Sequence, residues 1–149
     1  MGLRERLDED LKAAMRQKDP LRLNTIRGLK SAVKYREIEL MKSLDDAGIL
    51  GVVASEIKRR KDAVEQYQAG GRPDLVEKEE AESRLLQAYL PQQLTPDELR
   101  AKVEAAVAAT GAQGPKDMGK VMKALLPEVQ GRAEGSAVSE LVKARLSGK

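Results

Sequence analysis

Apolar residues recur every three or four positions along much of the chain, with charged residues between them. This spacing predicts amphipathic helices. Leu3, Leu7 and Leu11 mark the first helix. Three further stretches with the same apolar spacing, each of similar or greater length, follow before position 93. No strand is predicted anywhere in the sequence. The pattern therefore predicts an all-α fold whose first part contains four helices.

Capping residues predict where the later helices of this first part begin. Asp19 precedes Pro20, and a polar N-cap followed by proline at the first helical position is typical of a helix start. Asp45 is the predicted N-cap of the third helix. Asp74, with Glu77 three residues later, predicts a capping box at the start of the fourth helix.

The clearest helix start in the sequence lies near its middle. Thr95, Pro96 and Glu98 combine an N-cap, a proline at the first helical position and a capping-box glutamate. We place a domain boundary immediately before this start. Residues 1–93 are predicted to form an N-terminal four-helix domain, and residues 95–149 a C-terminal domain.

Three shorter helices are predicted in the second domain. The first closes at Gly111, and the second ends at Pro127 because proline interrupts the helical hydrogen bonds. The third carries Val138 and Leu146 on its apolar face. The predicted architecture is therefore two helical lobes, with four longer helices followed by a small three-helix domain.

Composition restricts the chemistry more than the formal charge of +3 does. The 149 residues include no Cys or His, so disulfides, thiolate nucleophiles, the usual catalytic triad and Cys or His metal sites are excluded. No apolar run is long enough for a membrane span, and the N-terminus lacks the apolar segment of a signal peptide. A soluble, cytoplasmic protein without membrane contact is expected.

The most basic run is a tetrad in the third predicted helix, Lys58, Arg59, Arg60 and Lys61. Successive helical residues are about 100° apart, so four consecutive side chains cannot all face one ligand. A solvated face whose methylene stems cover apolar surface is the favoured interpretation. The alternative is a secondary basic patch in which Lys58, Arg59 and Lys61 contact phosphates.

A more informative set of cations falls in the sixth predicted helix. Lys116, Lys120 and Lys123 have the spacing i, i+4, i+7, which places like charges on one helix face unless anions offset them. Gly119 indicates either close packing against another helix or close approach of a nucleic-acid backbone. Arg132, in the following glycine-bounded turn, is predicted to be mobile and to extend this patch.

Acidic residues cluster at the start of the fourth predicted helix, where negative charge favours the helix dipole. This local explanation is preferred to a metal or acid-base site, and no Ser or Thr has a recognisable activating partner. We therefore predict no catalytic, cofactor-binding or metal-binding residues. The acidic residues are Glu77, Glu79, Glu80 and Glu82.

Three sequence stretches together resemble the YqeY family, whose domain also resembles the C-terminal tail of the B subunit of glutamine-dependent aspartyl/glutamyl-tRNA amidotransferase. They are EIKRRK at 56–61, YLPQQL at 89–94 and DMGKVMK at 117–123, followed by Gly131 and the 138–146 segment. The resemblance implies an all-helical pair of lobes whose smaller, C-terminal lobe contacts tRNA. Carried over by position, the RNA surface comprises Lys116, Lys120, Lys123 and Arg132.

Three functions follow from these observations. The leading hypothesis is a noncatalytic tRNA-binding module, acting alone or with an amidotransferase or another aminoacyl-tRNA-related protein. The second is a protein-protein adaptor that does not bind RNA. The third is an enzyme of amide transfer, a carbon-nitrogen ligase with glutamine as amide donor, but the B subunit's catalytic body has no counterpart here. The isolated chain is not expected to catalyse that reaction.

Overall fold

The computed structural model describes residues 2–148 and is all-α, as the apolar spacing predicts. Within that range it contains seven α-helices, one short 3-10 helix and no strand. The helices form two compact units, the first ending at Leu90 and the second beginning at Pro91. Each unit has its own cluster of buried apolar side chains.

The first unit contains four helices, in which α1 packs mainly against α2, and α3 mainly against α4. Its core uses side chains from every helix and adds Tyr89, which follows the last one. The helices are α1 (Leu3–Arg16), α2 (Pro20–Leu40), α3 (Asp46–Ala69) and α4 (Pro73–Gln87). The buried core residues are Leu7, Ile26, Leu29, Val33, Ile49, Val53, Leu86 and Tyr89.

The second unit contains three shorter helices around an aliphatic core. They are α5 (Pro96–Thr110), α6 (Met118–Val129) and α7 (Gly135–Leu146), with the 3-10 helix Pro115–Asp117 before α6. Each helix contributes residues at intervals of three or four, as expected for helices buried along one face. The core residues are Leu99, Val103, Ala106, Val107, Val121, Leu125, Val129, Val138, Val142 and Leu146.

Three predicted helix starts are confirmed by side-chain caps. Asp19 accepts a hydrogen bond from the Arg22 amide, and Asp45 accepts one from the Gly48 amide. The capping box at the start of α5 is complete, because Thr95 Oγ1 accepts from the Glu98 amide and Glu98 Oε1 accepts from the Thr95 amide.

Two predicted helix boundaries are wrong. The helix α4 starts at Pro73 with Arg72 at the N-cap position, so Asp74 is already helical and its carboxylate binds the Arg72 guanidinium instead of capping. The helix α6 continues through Pro127 to Val129. Buried Val129 belongs to the core of the second unit, and this packing holds the last turn in place.

The α5 capping box predicts a pH-dependent contribution to stability. The Thr95 amide that donates to the Glu98 carboxylate lowers the pKa of Glu98 below its ordinary value of 4.5. A carboxylate with a lowered folded-state pKa stabilises the fold above its unfolded pKa, and that contribution is lost as the pH falls through the folded value.

We therefore expect the wild type to be more stable than Glu98→Gln near neutral pH, and the difference to narrow as the pH falls below 4.5. Urea unfolding followed by circular dichroism at several pH values measures both free energies of unfolding. A difference that stays constant from neutral to strongly acidic pH would exclude a role for the Glu98 charge.

Candidate nucleic-acid interface

The outer face of α6 presents two lysines to solvent. Val121 and Leu125 are buried on the inner face, and steps of 100° place Lys120 and Lys123 on the opposite side of the helix. Both lysines are exposed, and neither forms an ion pair with any residue in the 2–148 range. The helix therefore directs two positive charges that form no ion pair outward from one face.

Lys116 lies outside α6, so its predicted place in the sixth helix is wrong. It belongs to the 3-10 helix that immediately precedes α6, and its side chain is exposed. The i, i+4, i+7 argument for a single helix face consequently applies only to Lys120 and Lys123. Lys116 lies exposed on the turn immediately before α6.

Asp117 fixes the backbone that carries Lys116. Its Oδ2 accepts a 2.9 Å hydrogen bond from the Gln113 amide, and its own amide donates to the Gly114 carbonyl. The Gln113 bond is the main cause that lowers the pKa of Asp117, and the charges of Lys120 and Lys116 act in the same direction. Both lysines therefore lie within electrostatic reach of this carboxylate, which holds the turn before α6.

Gly119 lies in the first turn of α6 and is open to solvent. A Cβ built at this position would meet no heavy atom within 4 Å outside the local helix backbone. Close packing against another helix, one of the two interpretations of this glycine, is therefore wrong. A smooth, unobstructed surface is left beside Lys120 and Lys123.

The substitution Gly119→Ala is expected to have opposite effects on the stability of the protein and on its affinity for tRNA. We expect it to raise the free energy of unfolding by roughly 0.5 kcal/mol, because alanine favours the helix and meets no neighbour. If an RNA backbone lies against this surface, the added methyl group also weakens tRNA binding. Urea unfolding and tRNA titration measure the two effects.

Gly28→Ala on α2 is the matched control, since that position is also exposed and open. It should stabilise the helix without changing tRNA affinity. An equal loss of affinity in both variants would show that Gly119 has no special place in the interface.

Arg132 is held by the protein, contrary to the prediction that it is mobile. Its Nε donates to the Gln92 carbonyl at 3.0 Å, and its own carbonyl accepts from the Leu94 amide at 2.8 Å. Gln93 adds a hydrogen bond to the Gly131 carbonyl. Arg132 therefore joins the segment before α5 to the turn after α6.

The four predicted RNA-binding cations lie before, on and after α6. Lys116 precedes the 12-residue α6 and Arg132 follows it, so the length of the helix, about 18 Å, lies between them. Lys120 and Lys123 occupy the intervening outer face. The structure thus brings three lysines toward one end of α6 and places Arg132 beyond its other end.

The basic tetrad on α3 contains three exposed cations and one that is largely covered by the protein. Lys58 and Arg59 are exposed, and Arg59 pairs with Glu56 at 2.9 Å. Lys61 is also exposed. Arg60 instead has only 11% of its side chain exposed, so the tetrad as a whole is not a ligand-facing patch.

Arg60 forms an ion cluster between α3 and α4 that the sequence did not reveal. Its Nη1 donates to Glu56 Oε2 at 2.9 Å, and its Nε lies 3.4 Å from Glu82 Oε2 without hydrogen-bond geometry. Both glutamate side chains are less than 15% exposed. The helix dipole alone therefore does not account for Glu82, which pairs with a cation of the neighbouring helix.

A second polar cluster in the first unit involves Tyr89. Its hydroxyl donates to Asp10 Oδ2 at 2.6 Å, and the Arg6 guanidinium lies 4.7 Å from the centre of its ring. Burial of the tyrosine and its bond to Asp10 raise the pKa of Tyr89. The hydroxyl thus connects the segment after α4 to α1.

No helix in the part of the chain that the structure describes is long and apolar enough to cross a membrane.

The sequence matches the family described as "Yqey-like protein" over residues 4–146, which is nearly its whole length. The resemblance noted on three short stretches therefore extends through both units.

Three similar proteins carry the name "Altered inheritance of mitochondria protein 41, mitochondrial". The protein of Lachancea thermotolerans is 44% identical over 58% of this chain and 46% of its own length. The Vanderwaltozyma polyspora protein is 39% identical over 66% of this chain and 55% of its own length. The Kluyveromyces lactis protein is 42% identical over 68% of this chain and 54% of its own length. The chain spans about half the length of the relatives it matches.

Proposed function

The chain belongs to the YqeY family, and from that premise we propose that it is a noncatalytic helical module that binds tRNA through the outer face of α6. The observation that carries the proposal is the pair of exposed, unpaired lysines Lys120 and Lys123, directed outward from one face. Lys116 adds a third exposed cation on the turn that precedes α6. A row of cations on a rigid helix suits the regularly spaced phosphates of a nucleic-acid strand.

The chemistry of these side chains determines what kind of recognition is proposed. A lysine ammonium contacts phosphate oxygens and positions the protein, but it carries little base-sequence information. Folded RNA helices are recognised mainly by shape and through phosphate and sugar contacts. The proposed interface therefore selects the folded form of tRNA rather than a base sequence.

Arg132 has a supporting place in this proposal. One edge of its guanidinium is engaged by the Gln92 carbonyl, while the remaining nitrogen atoms can still donate. It would extend the interface beyond the C-terminal end of α6 in a fixed position. Its replacement should thus disturb both the local turn and RNA contact, which makes it a poor first test of binding.

The proposed partner proteins follow from the resemblance to the amidotransferase tail. A module without its own catalytic group would act by presenting tRNA to an amidotransferase or another aminoacyl-tRNA-related protein. We propose the cytoplasm as its location. Mitochondria, which the names of the relatives mention, also contain tRNA, so the same function fits either compartment.

Titration with purified tRNA at several salt concentrations tests the proposal. Each phosphate contact releases counterions, so log affinity should fall linearly with log salt, by about 0.7 to 0.9 per contact. Three lysine contacts predict a slope of about −2 to −3. Absence of binding at low salt, or a flat response, would reject RNA binding and favour the protein-protein adaptor.

A further inference from the structure

Exposed large apolar side chains are concentrated at the C-terminal end of α2. Seven such side chains are exposed among residues 2–148, and four of them lie between positions 35 and 41. Tyr35 is 69% exposed, Ile38 66% and Met41 91%, and Leu40 is exposed to a lesser degree. Exposed apolar residues are ordinary when scattered, but a contiguous group indicates a contact surface.

The helix α2 does not need these residues for its own packing. Leu29 and Val33 are buried on its inner face, whereas Tyr35 and Ile38 are three residues apart on the outer side. Met41 follows at the C-cap in a left-handed conformation with φ of 57°, which a non-glycine residue seldom adopts. The end of α2 thus carries an apolar strip that the first unit leaves uncovered.

The charges beside this strip are unevenly compensated. Lys34 and Lys42 precede and follow Ile38 by four positions, and neither forms an ion pair with any residue that the structure describes. Glu37 is already engaged, because its Oε2 accepts from Arg4 at 2.6 Å and from the Leu44 amide at 2.7 Å. The charge left available beside the strip is therefore positive.

A shallow cleft continues the surface on one side of Lys34. It lies between α1 and α2, has a volume of about 420 Å³, and has Leu7, Val33 and Ile49 along its floor. Arg4, Lys30 and Lys34 line its rim. A partner that covered Ile38 could therefore also insert a side chain here.

We propose that the outer face of α2 is a docking surface for an amphipathic helix of another protein, one whose apolar stripe is flanked by carboxylates. The stripe would cover Tyr35, Ile38 and Met41, and the carboxylates would pair with Lys34 and Lys42. Tyrosine and methionine are enriched at the centres of such interfaces, and charged residues form the rim. An apolar helix face laid on an apolar surface is a recurring mode of recognition.

The charge pattern disfavours a second copy of this chain as the occupant. In a two-fold symmetric contact, residue i meets residue j while j meets i. A two-fold axis through Ile38 would bring Lys34 of one copy toward Lys42 of the other, and neither lysine has a carboxylate partner on its own chain among the residues that the structure describes. These are like charges, so a partner with its own carboxylates fits better.

Membranes and RNA fit less well than a protein partner. Binding to anionic lipid typically uses clusters of four to eight Lys or Arg, whereas here Glu37 and Glu39 interrupt the cations. The side chains of Ile38 and Met41 carry no charge and no hydrogen-bond donor that could bind RNA phosphates. This surface belongs to the first unit and the α6 face to the second, so its role does not depend on the proposed tRNA binding.

Synthetic helical peptides of about 18 residues provide the probe. One peptide has a leucine stripe flanked by glutamates, a second has lysines in place of the glutamates, and a third has the glutamate peptide's composition in scrambled order. Titration of the full chain, followed by fluorescence anisotropy, should show binding of the glutamate peptide. The lysine and scrambled peptides should bind at least tenfold more weakly.

The double substitution Tyr35→Ser with Ile38→Ser should weaken binding of the glutamate peptide about tenfold or more. Met15→Ser, at a 53% exposed apolar residue of α1, is the matched control and should leave it unchanged. Circular dichroism checks that both variants fold. The tRNA affinity of the double variant should equal that of the wild type, which separates this inference from the proposed function.

Four results would overturn the inference. The first is no binding of the glutamate peptide up to about 1 mM. The second is equal binding of all three peptides. The third is self-association that the Tyr35 and Ile38 substitutions abolish, which would identify a second copy as the occupant. The fourth is binding to phosphatidylserine vesicles that the same substitutions abolish.

Discussion

Joint replacement of Lys116, Lys120 and Lys123 by alanine is expected to reduce the salt dependence of tRNA binding by about 2 to 3 units of log-log slope. Each lysine is exposed, and its proposed role is to displace counterions from a phosphate. Helical content should be retained, because alanine favours helices and none of the three side chains is buried. Titration across a salt series, with circular dichroism of the same samples, measures both quantities.

The matched control replaces Lys58, Arg59 and Lys61, also by alanine. These side chains are exposed but project in different directions around α3, and Arg59 is paired with Glu56. Their replacement should change the slope of log affinity against log salt less than replacement of Lys116, Lys120 and Lys123 does. If the control abolished binding while the α6 variant bound normally, the RNA surface would lie in the first unit.

Replacement of Arg60 by alanine is expected to destabilise the first unit by about 1 to 3 kcal/mol, the range for leaving a largely buried polar group with less pairing. The change removes a guanidinium that is 11% exposed and leaves the largely buried carboxylate of Glu82 with less compensation, whereas Glu56 keeps its ion pair with Arg59. Breaking a buried ion pair on one side is costly because the remaining charge stays desolvated. Urea unfolding of the full chain at neutral pH measures the loss.

Arg59→Ala controls for removal of charge alone. Its side chain is 75% exposed, so water screens the charge that it brings to Glu56, and a solvent-screened ion pair contributes about 0 to 1 kcal/mol. The control should therefore unfold at nearly the wild-type urea concentration. Equal destabilisation by the two substitutions would show that the Arg60 cluster is no more important than a surface ion pair.

Most of the helical fold follows from short-range sequence signals. Asp19, Asp45 and Thr95 cap helices through amides only three residues away, so the same residues that mark a start also form its hydrogen bond. The apolar spacing is equally local. These features could be predicted because no distant part of the chain is needed to satisfy them.

The wrong predictions arose where a competing interaction decided the structure. Asp74 pairs with Arg72 two residues before it, so the helix starts at Pro73 rather than after a capping box. Pro127 interrupts hydrogen bonding, but burial of Val129 carries α6 past it. Arg60 and Glu82 are 22 positions apart, and only the packing of α3 on α4 brings them together.

The candidate site was predictable in part. Lys120 and Lys123 share the outer face of α6 because the apolar residues of that helix fix its inner face. The position of Lys116 depended on the Asp117 bond to Gln113, and that of Arg132 on its bond to Gln92, 40 residues earlier. Neither bond follows from periodicity.

Photo-crosslinking tests most directly whether the outer face of α6 contacts tRNA. A benzophenone amino acid would replace the exposed Ala124, four residues after Lys120, or in a control the exposed Ala54, four residues before Lys58. Irradiation with labelled tRNA should yield a strong adduct from position 124 and little or none from position 54. An adduct from position 54 alone, with both proteins folded and binding tRNA, would contradict the assignment of the interface to α6.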